Sequence, residues 1–197
     1  MNFIRNVQGS EPSTKTMNND LIIQQTKNWI NSVVIGCNFC PFAAKEMRQN
    51  TIRYSIEASD DLLLCLETFL KECKLLDNDS TIETTLLILP NATPAFDDYL
   101  QLVDLAEKLI TEQDYEGVYQ VASFHPQYLF AGSTEKDASN YTNRSIYPML
   151  HLLREESIER ALEKYPDPAQ IPERNIKFTQ EMGLEYMKSL LVKAREM

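Results

Sequence analysis

The chain has two histidines, His125 and His151, and both fall in one stretch with two arginines. The stretch reads Ala122-Ser123-Phe124-His125-Pro126-Gln127-Tyr128, then Asn143-Arg144-Ser145, then His151-Leu152-Leu153-Arg154-Glu155. Imidazole exchanges protons near neutral pH, and a guanidinium fork grips a carboxylate or phosphate with two hydrogen bonds. Together they suggest a site for a small anionic molecule. His125 is the expected general acid/base, with His151 assisting. Arg144 and Arg154 are expected to hold the anion, with Asn143 and Tyr128 beside them on the substrate.

Arg154 carries the strongest physical argument. If Pro148 opens a helix that runs to about Tyr165, then Leu150, Leu153, Ser157, Ile158, Ala161, Leu162 and Tyr165 share a face. Arg154 falls in the middle of that face and His151 at its edge. An inward guanidinium is costly unless it is paired. Its partner is then either a protein carboxylate such as Glu83 or Asp104, which is the commoner arrangement, or a bound anion.

A second group with chemistry follows the first helix: Cys37-Asn38-Phe39-Cys40-Pro41-Phe42. Pro41 suits the first position of a helix, which would put Cys40 at the N-cap, where the helix dipole favours a thiolate. Cys40 is then a candidate nucleophile if it lies near His125. The competing reading is a tight turn whose sulfurs pack against Phe39 and Phe42. A zinc site would need more ligands than this turn supplies. Its candidate set is Cys37, Cys40, His125 and His151. Cys65 and Cys73 sit among leucines and read as core.

Composition narrows the field. A net charge of −10 repels phosphate backbones, so nucleic acid is not an expected partner. No apolar run is long enough for a bilayer, and no secretory signal is legible, so a cytoplasmic protein without a membrane partner is expected. Among the five glycines no two stand at the spacing of a dinucleotide or phosphate-binding loop, which excludes those enzymes.

Residues 1–16 read as a flexible segment and 17–197 as one globular domain. The elements that must position the site alternate. A helix is expected from Asn18 to Ile35, a half-exposed strand over Ile52 to Ile56, and a helix capped by Ser59 that ends near Leu76. Thr84 to Leu89 is apolar on both faces and reads as a central strand. A helix over Phe96 to Gln113 and a strand over Val118 to Phe124 follow. Next come a long loop over 125–147, with a short strand possible at Tyr128 to Ala131, the helix from Pro148, and a last helix over Thr179 to Arg195. The pattern favours an α/β (or α+β) layered sandwich: a small three- to four-stranded sheet, partly parallel, with five or so helices. A ferredoxin-like arrangement is the alternative.

At the motifs just quoted the chain resembles the bacterial domain-of-unknown-function 1415 family. The resemblance covers nearly everything from Trp29 to about Asn175. It runs through Cys40-Pro41-Phe42-Ala43, Glu83-Thr84-Thr85-Leu86-Leu87, Gln120 to Tyr128, Phe130-Ala131-Gly132, Thr142-Asn143-Arg144-Ser145, Tyr147-Pro148 and His151 to Glu155. It implies no activity. In similar proteins the position of Cys37 is usually aliphatic, which implies that Cys40 is the motif cysteine and weakens the paired-cysteine metal reading. Three functions stand: an enzyme acting on, or a protein binding, a small anionic molecule; a Cys/His zinc protein; and a partner-binding domain whose motifs are struts.

Overall fold

The computed structural model describes residues 18–163, 165 and 167–196; the N-terminal segment expected to be flexible lies outside them. Among the described residues, seven α-helices surround a four-stranded mixed sheet, which is the layered α/β arrangement. The helices are α1 (Asn19–Trp29), α2 (Ala43–Gln49), α3 (Leu62–Asn78), α4 (Phe96–Glu112), α5 (Glu155–Leu162), α6 (Ile171–Met182) and α7 (Leu184–Glu196). The strands are β1 (Ile52–Ile56), β2 (Thr84–Ile88), β3 (Tyr119–Phe124) and β4 (Met149–Arg154), in the spatial order β1-β2-β4-β3. None of these helices is long and apolar enough to cross a membrane.

β1 and β2 are parallel, while β4 runs antiparallel to both β2 and β3. Strands β1, β2 and β3 therefore all point one way, and β4 fills the gap between β2 and β3. The crossovers through α3 and α4 step in the same direction along the sheet. The right-handed rule then places both helices on one face. There Leu87, Leu89, Leu150 and Leu152 pack against Phe69, Cys73, Leu102 and Ala106. The opposite face presents Leu86, Ile88 and Met149 to Trp29, Ile30, Val33 and Met187. Helices on both faces and a parallel β1/β2 pair rule out the ferredoxin-like alternative. β2 is buried at every position, as its unbroken apolar run requires.

Several expectations change. The run from Pro148 is not a helix: Met149 to Arg154 is the inner strand β4, and only Glu155 to Leu162 is helical. As a strand the segment pairs with β2 on one side and β3 on the other, with Met149, Leu150 and Leu152 buried, and tertiary context overrides the helix-forming leucines. Asp61, not Ser59, caps α3, its carboxylate accepting from the Leu63 N–H at 2.8 Å. The long loop holds a 3₁₀ turn over Ala138–Thr142 instead of a strand at Tyr128. The last helix is two, α6 and α7, broken at Gly183, whose φ of +83° suits glycine. The end of the first helix widens into a π-turn over Ile30–Ile35. Gly36 closes it because a Cβ there would lie 2.4 Å from the Ser32 carbonyl oxygen.

Candidate functional site

The carboxyl ends of β1, β2 and β3 lie along one edge of the sheet, where open α/β sheets bind ligands. The loops leaving β2 and β3 meet there, and His125 joins them. The residue is only 1% exposed. Nε2 donates to the Thr93 carbonyl at 3.0 Å and Nδ1 accepts from the Gln127 N–H at 3.0 Å, which fixes the neutral tautomer. The ring packs against Tyr99 and Phe96, with centroids 4.9 and 5.4 Å away. Burial holds its pKa below the ordinary value, and the Thr93 carbonyl opposes that shift. A general base needs a ring nitrogen within reach of its substrate. Both nitrogens of His125 are occupied, so the geometry makes it a clip between two loops. Thr93 at the other end of the clip has φ +48°, a strained value for a β-branched residue. His125 still lines a cavity of about 420 Å³, with Asn91, Gln25 and Arg195 on its wall.

Cys40 lies elsewhere. It precedes α2 by three residues in a turn, and Phe42 occupies the N-cap position. The expected N-cap thiolate is therefore corrected: burial raises the thiol's pKa, Glu46 adds to this, and the backbone N–H groups of Phe42 and Ala43 oppose it. Cys40 does share a cavity of about 640 Å³ with Asn143. The long loop forms much of that wall through Phe130, Gly132, Asp137 and Ser139, and α6 closes it with Ile171 and Asn175. Asn143 itself is tied down, its Nδ2 donating to the Ser123 carbonyl at 3.2 Å.

Arg144 faces the other side of the same loop. Its Nε donates to the Tyr128 carbonyl at 3.1 Å, Nη2 reaches the Glu135 carbonyl at 3.4 Å, and its guanidinium lies 4.8 Å from the centre of the Tyr141 ring. Tyr128 thus contributes its backbone, while its side chain packs on Phe96 and Phe130. Arg144 has no carboxylate partner among the described residues. It lines a cavity of about 690 Å³ with Lys136 and Lys188, at the start of α4. Ala95 occupies the N-cap of α4 without a side-chain hydrogen bond, so the first-turn N–H groups stay unmatched by any cap. Asp97 and Glu135 also stand on this wall.

Arg154 and His151 do not join. Arg154 pairs in register with Tyr119, at the far end of the ladder from His125, roughly 20 Å along the strand. It has no carboxylate partner among the described residues. Nη2 donates to the carbonyls of Leu76 at 2.6 Å, Asp79 at 3.2 Å and Ile82 at 3.1 Å, closing the C-terminal end of α3. His151 lies in β4 on the face opposite His125, with Nε2 2.8 Å from the Thr84 hydroxyl, and desolvation pushes its pKa down to about 4. The proposed set Cys37, Cys40, His125 and His151 is thus scattered, and among the described residues no three His, Cys, Asp or Glu side chains group to hold a metal. Sequence reasoning missed Lys136, Lys188, Asp137 and Ser139. The length of the loop was the one signal pointing to three of them; Lys188 arrives from α7 through space.

A family model described as a protein of unknown function (DUF1415) matches residues 21–189. No curated protein and no solved structure matches the chain.

Proposed function

The chain belongs to the DUF1415 family, and we propose from its cavities that it binds a small anionic molecule at the start of α4. The observation that carries this reading is the grouping of Arg144, Lys136 and Lys188 around an uncapped helix start in a chain of net charge −10. Arg144 supports it most. Its backbone and ring contacts fix the guanidinium without neutralising it, so a carboxylate or phosphate entering the cavity meets a pre-oriented charge. The N–H groups of the first turn add donors on the other side. Asp97 and Glu135 favour a compact anion over a bulky one, since a long ligand would pass both carboxylates.

Binding is the reading, not turnover, because the ring nitrogens of His125 are both held by protein groups. Titration calorimetry with inorganic phosphate and with succinate tests it. Binding of one of the two is expected, weakening as salt rises. Lys136→Gln and Lys188→Gln, both at exposed positions, should each weaken it, and Arg144→Gln should abolish it. Arg144→Lys should restore it only in part, because a point charge does not reproduce the fork. Failure of both anions to bind, or binding that none of the variants alters, would overturn the reading.

A further inference from the structure

The cavity that holds Cys40 differs in chemistry from the one at α4. Its wall is largely apolar, with Val34, Phe39, Phe124, Phe130 and Ile171, and among the described residues no lysine or arginine lines it. The carboxylate on that wall is Asp137. One of its oxygens accepts from the Ser139 N–H at 2.9 Å, capping the 3₁₀ turn. Asp137 has no cationic partner among the described residues. Ser139 also lines the cavity and is 6% exposed. Its N–H and carbonyl are bonded, to Asp137 and Thr142 respectively, but its hydroxyl has no hydrogen-bond partner among the described residues.

That hydroxyl is not one of the fully buried side-chain atoms that lack a partner; it opens on the cavity, where it can hydrogen-bond a ligand. A carboxylate with no counter-charge beside aromatic rings has a definite complement: an ammonium group on an apolar body. The ammonium would donate to the second oxygen of Asp137 and to the Ser139 hydroxyl. The aromatic rings would receive the body and draw on the cation's field. An anion would be repelled by Asp137 and would find no cation among the described residues. We propose that this cavity binds a small apolar amine, with Asp137 and Ser139 as its polar end and Cys40 on its side wall. The proposal stands apart from the anion reading, since the loop puts Lys136 and Arg144 on one cavity and Asp137 and Asn143 on the other.

The experiment uses three probes of one shape on the full chain: 2-phenylethylamine, 2-phenylethanol and 3-phenylpropanoate. Calorimetry gives their affinities, and iodoacetamide alkylation with mass mapping gives the labelling rate of Cys40. The amine is expected to bind roughly tenfold to a hundredfold more tightly than the alcohol, and to slow alkylation of Cys40. The propanoate should do neither. Asp137→Asn retains an oxygen for the Ser139 N–H, so the turn keeps its cap. That variant should bring the amine down to the affinity of the alcohol and leave the alcohol unchanged. Ser139→Ala should weaken the amine while the thermal midpoint holds. Equal affinity for amine and alcohol, a preference for the propanoate, no binding of any probe, or an unaltered amine affinity in Asp137→Asn would each overturn the proposal.

Discussion

Arg154 gives its guanidinium protons to the carbonyls of Leu76, Asp79 and Ile82, so replacing it with alanine strands acceptors where α3 ends and β2 begins. Urea denaturation should show a loss of about 1.5–3 kcal/mol, which phosphate or succinate does not offset. Arg154→Lys should recover part of it. His151 sets a pH dependence. Its folded pKa of about 4 lies below its ordinary 6.5. The unfolded chain therefore takes up the proton first as pH falls. Stability present at neutral pH is lost between about pH 6.5 and about pH 4, by about 3 kcal/mol at most. Burial of His125 acts in the same direction. Thermal melts across that range should fall more steeply in the wild type than in His151→Gln; parallel curves would count against His151 as the titrating group. Cys40 is partly exposed, while Cys37, Cys65 and Cys73 are buried. Alkylation should mark Cys40 first, through access and not through a favoured thiolate. Its rate should keep climbing above about pH 9 because the thiol's pKa is raised above 9.0. Equal labelling of all four cysteines would refute this.

Between elements, the Tyr99 hydroxyl is a joint. It accepts from the Phe124 N–H at 2.9 Å and donates to the Met149 carbonyl at 2.7 Å, tying α4 to the end of β3 and the start of β4. Tyr99→Phe keeps the ring in a fully buried place and removes both bonds, so a cost of about 1–3 kcal/mol is expected in equilibrium unfolding. A change within error would mean that neighbouring groups take over those bonds. The elements around this joint were legible to different degrees. β1, β2 and α4 matched their expected limits to within one residue, because alternation, a doubly apolar run and apolar residues at helical spacing each fit one geometry. β4 did not. Six residues rich in leucine satisfy a helix face and a doubly covered strand equally well, and only the neighbours decide. That single misreading turned Arg154 toward an imagined pocket. The loop's length did mark the region that forms two cavities. The opposite facing of Asp137 and Lys136, or of Asn143 and Arg144, depends on how the 3₁₀ turn is wound, which no residue spacing reveals.

In the whole molecule, the sheet order has a consequence in time. β2 and β3 are not hydrogen-bonded to each other, because β4 stands between them. As the chain is synthesised, β1 and β2 can pair and α3 and α4 can fold onto them, but β3 has no place to dock until residues 149–154 emerge. Until then the inner edge of β2 and the whole of β3 are open to wrong partners, a known hazard of unpaired edges. A chain ended at residue 147 should accordingly lack a cooperative thermal transition and associate with itself, where the full chain should melt in one step. Cooperative melting of the shortened chain would show that β2 and β3 can hold the sheet without the last strand. The strand that completes the sheet is thus also the one that commits the chain to its fold, with some forty residues still to follow it.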